Sequence, residues 1–474
     1  MIILIGRRSR WLAFLAALWP SLAQAGGFFL PGHGVRGLGR GGAFVAGGDD
    51  AGAIWYNPAA IAGLRGVHVL VDGTLVLQSA TYTRVDSGGN LLPSVRNEGP
   101  LLPIPTLAFA MRAFHKRLWI GASLSAPTAA LPAFPRPSYD ACPAGAQPVG
   151  CLDTAHTDAP QRYSLISYKG TLFVQLDLAV AFQLLPQLAI GISLQNQVVG
   201  LYTLKAATSY NGALSSGPED PEFDTLTQTR MLGFVNPSAK VGLKYQPHPR
   251  VKLGLAVQLP VWVRAAGAVD VQLPASPLYS RSSVEGTDGH ITATFPLMVG
   301  AGVEVRPIPR LRLELDLHWE SWSMTERLSF VPDDIYISNV PGIGRYKVPE
   351  MAEVLHLRDA LSVRLGVEYF IPRAPVAVRA GYVFERGAVE DAYASVLLLD
   401  HNKQLFTAGA SLTLRGFRLD ALYGFVLVPS REVDHRDSRA LQINPISPAG
   451  AVGVGGGHYE TASHLLGLGV SKAF

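Results

Sequence analysis

The chain has 474 residues, nearly half of them apolar, with two cysteines and a formal net charge of +4. Arg7, Arg8 and Arg10 supply most of that excess; without them 37 basic residues (40 − 3) face 36 acidic ones, which gives no support for a nucleic-acid partner. No later apolar run is long enough for a spanning helix, which leaves a large secreted β-protein or an outer-membrane barrel.

Residues 1–25 read as a secretory signal. Three arginines precede an apolar core from Trp11 to Trp19, and Ala23-Gln24-Ala25 forms a small-residue cleavage site. Residues 26–65 follow as a Gly-rich but apolar segment, too rich in glycine for one long helix or strand. Phe28, Phe29, Leu30, Phe44, Val45, Ile54 and Trp55 require something to pack against. Asn57 suits a helix N-cap, Pro58 the first helical position and Gly63 the exit. A compact apolar segment ahead of a run of strands reads as a plug inside a wall.

From residue 66 to 474 side chains alternate with period two. Leu311, Leu313, Leu315, Leu317 and Trp319 share one face, and Arg310, Arg312, Glu314, Asp316, His318 and Glu320 the other. Residues 361–369, 376–385 and 417–427 repeat the pattern. A soluble sandwich also alternates, but these strands approach or exceed ten residues, and their connections alternate between short and long. Short turns fall at 114–117, 185–187, 246–250, 306–310, 371–375 and 415–416. Long loops span about 79–100, 128–162, 207–235, 273–289, 330–354, 388–403 and 429–458. The expected fold is all-β: a transmembrane antiparallel barrel of about fourteen strands, the short turns periplasmic. The last strand, with Leu466, Leu468, Val470 and Phe474 on one face, is expected to close against the first. Trp319 and Trp322 fit an aromatic girdle or, equally, ordinary core positions.

Cys142 and Cys151 lie close together in a Pro/Gly-rich loop of an exported chain, and a disulfide between them is expected. Neither a metal site nor a cofactor is expected. Lys240, Lys244, Lys252, Arg312, Glu314, Asp316, Arg364, Glu368, Arg379, Glu385, Arg418 and Asp420 fall on the inner face. So many charges suit a wet lumen, where they can pair or hydrate, and not a dry core.

The plug with Asn57-Pro58-Ala59 resembles the FadL-type outer-membrane transporters of long-chain fatty acids and other hydrophobic compounds. So do Asn236-Pro237 with Val241-Gly242-Leu243, Trp319-Glu320-Ser321-Trp322, Arg379-Ala380-Gly381-Tyr382, Leu399-Asp400-His401-Asn402-Lys403 and Leu419-Asp420-Ala421-Leu422-Tyr423. Leu399 departs from the family's usual proline. The resemblance implies a passive transporter, a monomer placed by the barrel-assembly machinery in the outer membrane of a Gram-negative bacterium. Its partners would be hydrophobic molecules, fatty acids or aromatic hydrocarbons, and the outer-membrane lipid. Cargo captured by the extracellular loops would pass to a pocket near the hatch and leave sideways at a kinked third strand, here Arg117 to Pro127 with Gly121 inside it. The Asn57-Pro58-Ala59 turn would lie against that gap. Phe28, Phe29, Leu30 and Trp262 would line the pocket or else pack hatch against wall, and Arg264 would make a girdle or loop salt bridge sooner than partner a carboxylate. Burying an acyl chain there gains about 0.8 kcal/mol per methylene.

An enzyme is not expected. Gly121-Ala122-Ser123-Leu124-Ser125 lacks the closing glycine of a nucleophile elbow, and neither a His-Glu-x-x-His motif nor a phosphate-binding loop is present. The alternatives are a diffusion porin for polar solutes or a surface adhesin or receptor barrel.

Overall fold

The computed structural model describes residues 31–99, 101–113, 115–126, 132–135, 159–210 and 217–474. The signal-like segment, Phe28, Phe29, Leu30, Pro127, Cys142 and Cys151 lie outside them.

The alternating stretches form one closed antiparallel wall of fourteen strands. In chain order these are Val67–Val85, Leu102–Arg112, Leu118–Ser125, Leu172–Leu185 and Leu188–Thr208. Strands six to ten are each in two pieces: Asp224–Gly233 with Pro237–His248, Val251–Gln258 with Val261–Gln272, Asp288–Phe295 with Met298–Ile308, Leu311–Glu320 with Arg327–Pro332, and Met351–Val354 with Ala360–Phe370. Strands eleven to fourteen are Val376–Glu385, Lys403–Leu414, Phe417–Leu427 and Gly457–Ala473. Pro260 and Pro296 sit in two of the interruptions, where a residue without an N–H cannot continue a ladder.

Closure joins strand one to strand fourteen, from His68 opposite Ala473 to Arg84 opposite Gly457. Gly66 permits it: at φ +78° its Cα hydrogen faces the Phe474 carbonyl, and a Cβ would come within 1.8 Å of that oxygen.

Apolar side chains point outward and polar ones inward. Leu313, Leu315 and Leu317 are exposed, whereas Glu314 and Asp316 between them are buried. This inverts a soluble protein and matches a wall standing in lipid. The short turns gather on one rim. At Arg415-Gly416 both residues are left-handed (φ 50° and 83°), as a two-residue hairpin turn demands. On the other rim the strands run further than expected, because they go on pairing beyond the lipid. Strand one continues to Val85 and pairs there with Leu91–Arg96, and strand five reaches Thr208. A three-stranded sheet (Ser283–Glu285, Tyr336–Val340, Gly344–Lys347) forms within the long loops. No described helix is long and apolar enough to cross a membrane.

Candidate transport pathway

Residues 31–64 fill the lower lumen as the plug. Glycine density leaves them two four-residue helical turns, Val35–Leu38 and Ala53–Tyr56, and the 3-10 turn Pro58–Ile61. The Asn57 side chain caps that last turn, accepting from the Ala59 N–H at 3.0 Å.

The plug is held differently on its two sides. Toward strands one to five it packs Ile54, Ile61 and Leu64 against small side chains, Ala108, Ala110, Ala179, Ala181 and Ala189. Toward strands eight to thirteen it is held by ions. Arg36 pairs with Glu368 (2.9 Å) and with Asp49 and Asp50 of the plug. Arg40, fully buried, reaches Glu314 (2.6 Å) and Glu304 (3.3 Å). Asp49 meets Arg312 (2.6 Å) and Asp50 meets Arg418 (2.7 Å). Two wall carboxylates also collect backbone N–H groups: Asp316 from Phe44 and Val45 (2.8 and 3.0 Å), and Glu314 from Ala46 and Gly47 (2.8 Å each). These are charge-assisted bonds away from water, where a carboxylate acceptor is strongest.

Asn57-Pro58-Ala59 does not lie chiefly against strand three. Gly191 of strand five and Gly242 of strand six make room for it: a Cβ on Gly191 would come within 2.5 Å of the Ala59 nitrogen, and one on Gly242 within 2.1 Å of the Asn57 Oδ1. The Asn57 amide donates to the carbonyls of Val45 and Leu243, both at 2.9 Å.

Strand three carries no bulge at Gly121. It keeps register with strand two from Arg112–Trp119 to Thr106–Ser125, and with strand four from Leu118–Phe182 to Ser125–Gln175. Gly121 instead admits the plug, since a Cβ there would sit 2.7 Å from Ile54 Cδ1. The described part of strand three, Leu118–Ser125, has eight residues against eleven and fourteen in its neighbours. Among the described residues, Leu102–Pro105 pair only with strand one and Leu172–Val174 only with strand five; residues 127–131, which follow strand three, lie outside them.

Above the plug lies an apolar cavity of about 100 Å³. Phe173, Val199, Leu201, Val263, Phe295, Leu397, Leu398 and Leu399 line it, with Gln78, Tyr168, Thr171 and Thr325 as the polar-bearing members. No residue of 31–64 lines it. Trp262 and Arg264 do not line it either. Trp262 is 67 % exposed on the outer face, and the inward residues of that strand are Val261, Val263 and Ala265. The pleat decides this, because a one-residue change of phase exchanges the two faces. Trp322 is likewise not in a girdle: it is fully buried under the outer loops, its indole donating to Glu320 at 2.7 Å. Trp319 is half-buried, with its indole on Asp359 (3.2 Å). The Leu397-Leu398-Leu399 run was not singled out as cavity lining, although three leucines in a row within an outer loop are a readable signal.

A closed antiparallel barrel with an apolar outer face, and with residues 31–64 packed against its inner side, is the architecture of a membrane-spanning wall around an inner segment. A family model described as outer membrane protein transport protein (OMPP1/FadL/TodX) matches residues 169–474, and the chain belongs to that family. The family is one of transport proteins, not enzymes. No curated protein gives a significant match. Among solved structures the chain is similar to a Pseudomonas aeruginosa FadL homologue (16 % identity, TM-score 0.72, 95 % of this chain and 100 % of that one). It is also similar to the P. putida toluene transporter TodX (13 %, 0.64, 94 % and 99 %) and the Ralstonia pickettii toluene transporter TbuX (14 %, 0.60, 94 % and 99 %). At these identities the likeness speaks for the fold.

Proposed function

We propose that this protein is a passive transporter of small hydrophobic compounds across the outer membrane of a Gram-negative bacterium. It acts as a monomer, without a cofactor. Cargo enters beneath the outer loops, occupies the apolar cavity and leaves sideways into lipid above Ser125. The observation that carries this reading is the apolar cavity itself, which lies above the segment packed into the lumen. A stopped lumen argues against a diffusion porin. An apolar cavity of about 150 Å³ accommodates benzene, so a space of about 100 Å³ favours a single ring over an extended acyl chain. The toluene transporters among the structural relatives agree with that cargo class.

The test is uptake of radiolabelled toluene by cells carrying the parent or Leu398→Asp. The parent is expected to raise uptake over cells lacking it. Leu398→Asp places a carboxylate on an apolar wall and is expected to abolish the gain with the barrel still folded. Equal uptake by parent, variant and empty cells would defeat the proposal.

A further inference from the structure

The wall has a second weak line, between strands six and seven. Their pairing stops after Lys240–Gln258 and resumes at Leu232–Ala266 in the same register. The strands therefore part and rejoin without slipping. Between those points the ladder is replaced largely by side chains. Arg264 N–H donates to Asn236 Oδ1 (2.8 Å), and Ser238 Oγ donates to the Leu259 carbonyl (2.9 Å). The Asn236 amide donates in turn to the Gln197 and Gly233 carbonyls (2.8 and 3.2 Å), and Asn196 accepts from the Asn236 N–H (3.0 Å) and donates to the Phe234 carbonyl (2.8 Å). Backbone polar groups facing lipid must find partners. Here a few amides and a hydroxyl supply them, and a side chain can swing away without unzipping the strands on either side.

Both sides of this seam are largely apolar. Outside, Phe234, Val235, Leu259 and Trp262 are exposed, with Arg264 next to Trp262 on the same face. Inside, Val199, Val263 and Phe295 belong to the cavity lining. Trp262 stands eleven residues (262 − 251) beyond the Val251 turn, roughly 26 Å of height for a strand tilted near 45°. That is the outer edge of the hydrocarbon, where an interfacial tryptophan belongs.

Resting on the transport reading above, we propose that the seam between strands six and seven is a second side passage, latched by Asn236, through which a small apolar molecule moves between the cavity and the outer leaflet.

The test locks the seam. Ser238→Cys and Pro260→Cys, opposite in register, are introduced with Cys142→Ser and Cys151→Ser, and toluene uptake is compared with the serine-only parent. Forming the cross-link is expected to roughly halve uptake if the two passages conduct alike, and reduction to restore it. A complete cross-link with unchanged uptake overturns the passage. Asn236→Leu, which removes the latch, is an independent arm: faster uptake supports the proposal, and unchanged uptake by a folded barrel overturns it. Failure of the transport reading looks different, because the parent itself would then take up no more toluene than cells lacking it.

Discussion

Glu314 offers the sharpest test of how the plug is held. Its carboxylate accepts the Ala46 and Gly47 N–H groups and pairs with Arg40. Glu314→Ala leaves two buried N–H groups bare, costing on the order of 1–3 kcal/mol each, or about 2–6 kcal/mol together. Arg40 keeps Glu304 and a more distant contact with Glu368 (3.9 Å), so the ionic loss is partial. A docking loss of about 3 kcal/mol raises the undocked fraction roughly a hundredfold. Glu314→Gln retains an acceptor oxygen and should lose much less. Hydrogen exchange of the 44–47 amides reads this directly: fastest in Glu314→Ala, intermediate in Glu314→Gln, slowest in the parent, with wall amides unchanged. Equal protection in all three would refute the view that this carboxylate anchors the plug.

Gly242→Val directs a side chain into Asn57 and Pro58, an overpacking that costs about 1–3 kcal/mol; the 57–61 turn should become protease-sensitive while the barrel keeps its heat-modifiable migration. His401 predicts a pH dependence of the outer loops. Burial, aided by Lys403, pushes its imidazole down to about 4, and its neutral Nδ1 faces the Arg431 guanidinium at 2.6 Å. Because the folded pKa is depressed from about 6.5, this contribution is full above pH 6.5 and is lost as pH falls towards 4, by about 3 kcal/mol. Amide protection factors across 395–402, which correct for the pH dependence of intrinsic exchange, should therefore fall between pH 7 and pH 5. His401→Phe should remove that fall, and its persistence would point to another group.

The wall was readable where one face is charged and the other greasy. Glu314 and Asp316 between leucines fix both the strand and its inward side, and the strict alternation of turn lengths fixes the rims. Val261-Trp262-Val263-Arg264-Ala265 has apolar residues on both faces, so the phase of the pleat, and with it the place of Trp262 and Arg264, is decided by neighbouring strands. Strand three was legible within Arg117 to Pro127, and Gly121 was not a kink: it keeps register and its missing side chain makes room for Ile54. The plug was legible as a compact apolar segment with a capped turn at Asn57. Its resting place against Gly191 and Gly242 was not, because a glycine in a strand marks a close approach without naming the visitor.

The junction at Gly66 bears on how the molecule is made. Strand one waits for strand fourteen through the synthesis of everything between them, and until they meet both present bare edges that lipid cannot satisfy. The long final ladder acts as the zip that completes the ring. The plug is tied directly to strand one, so it has to be inside, or at the periplasmic mouth, when the zip is drawn. Gly66→Ala should therefore strain the finished junction and hinder its closure together, lowering the yield of assembled barrel.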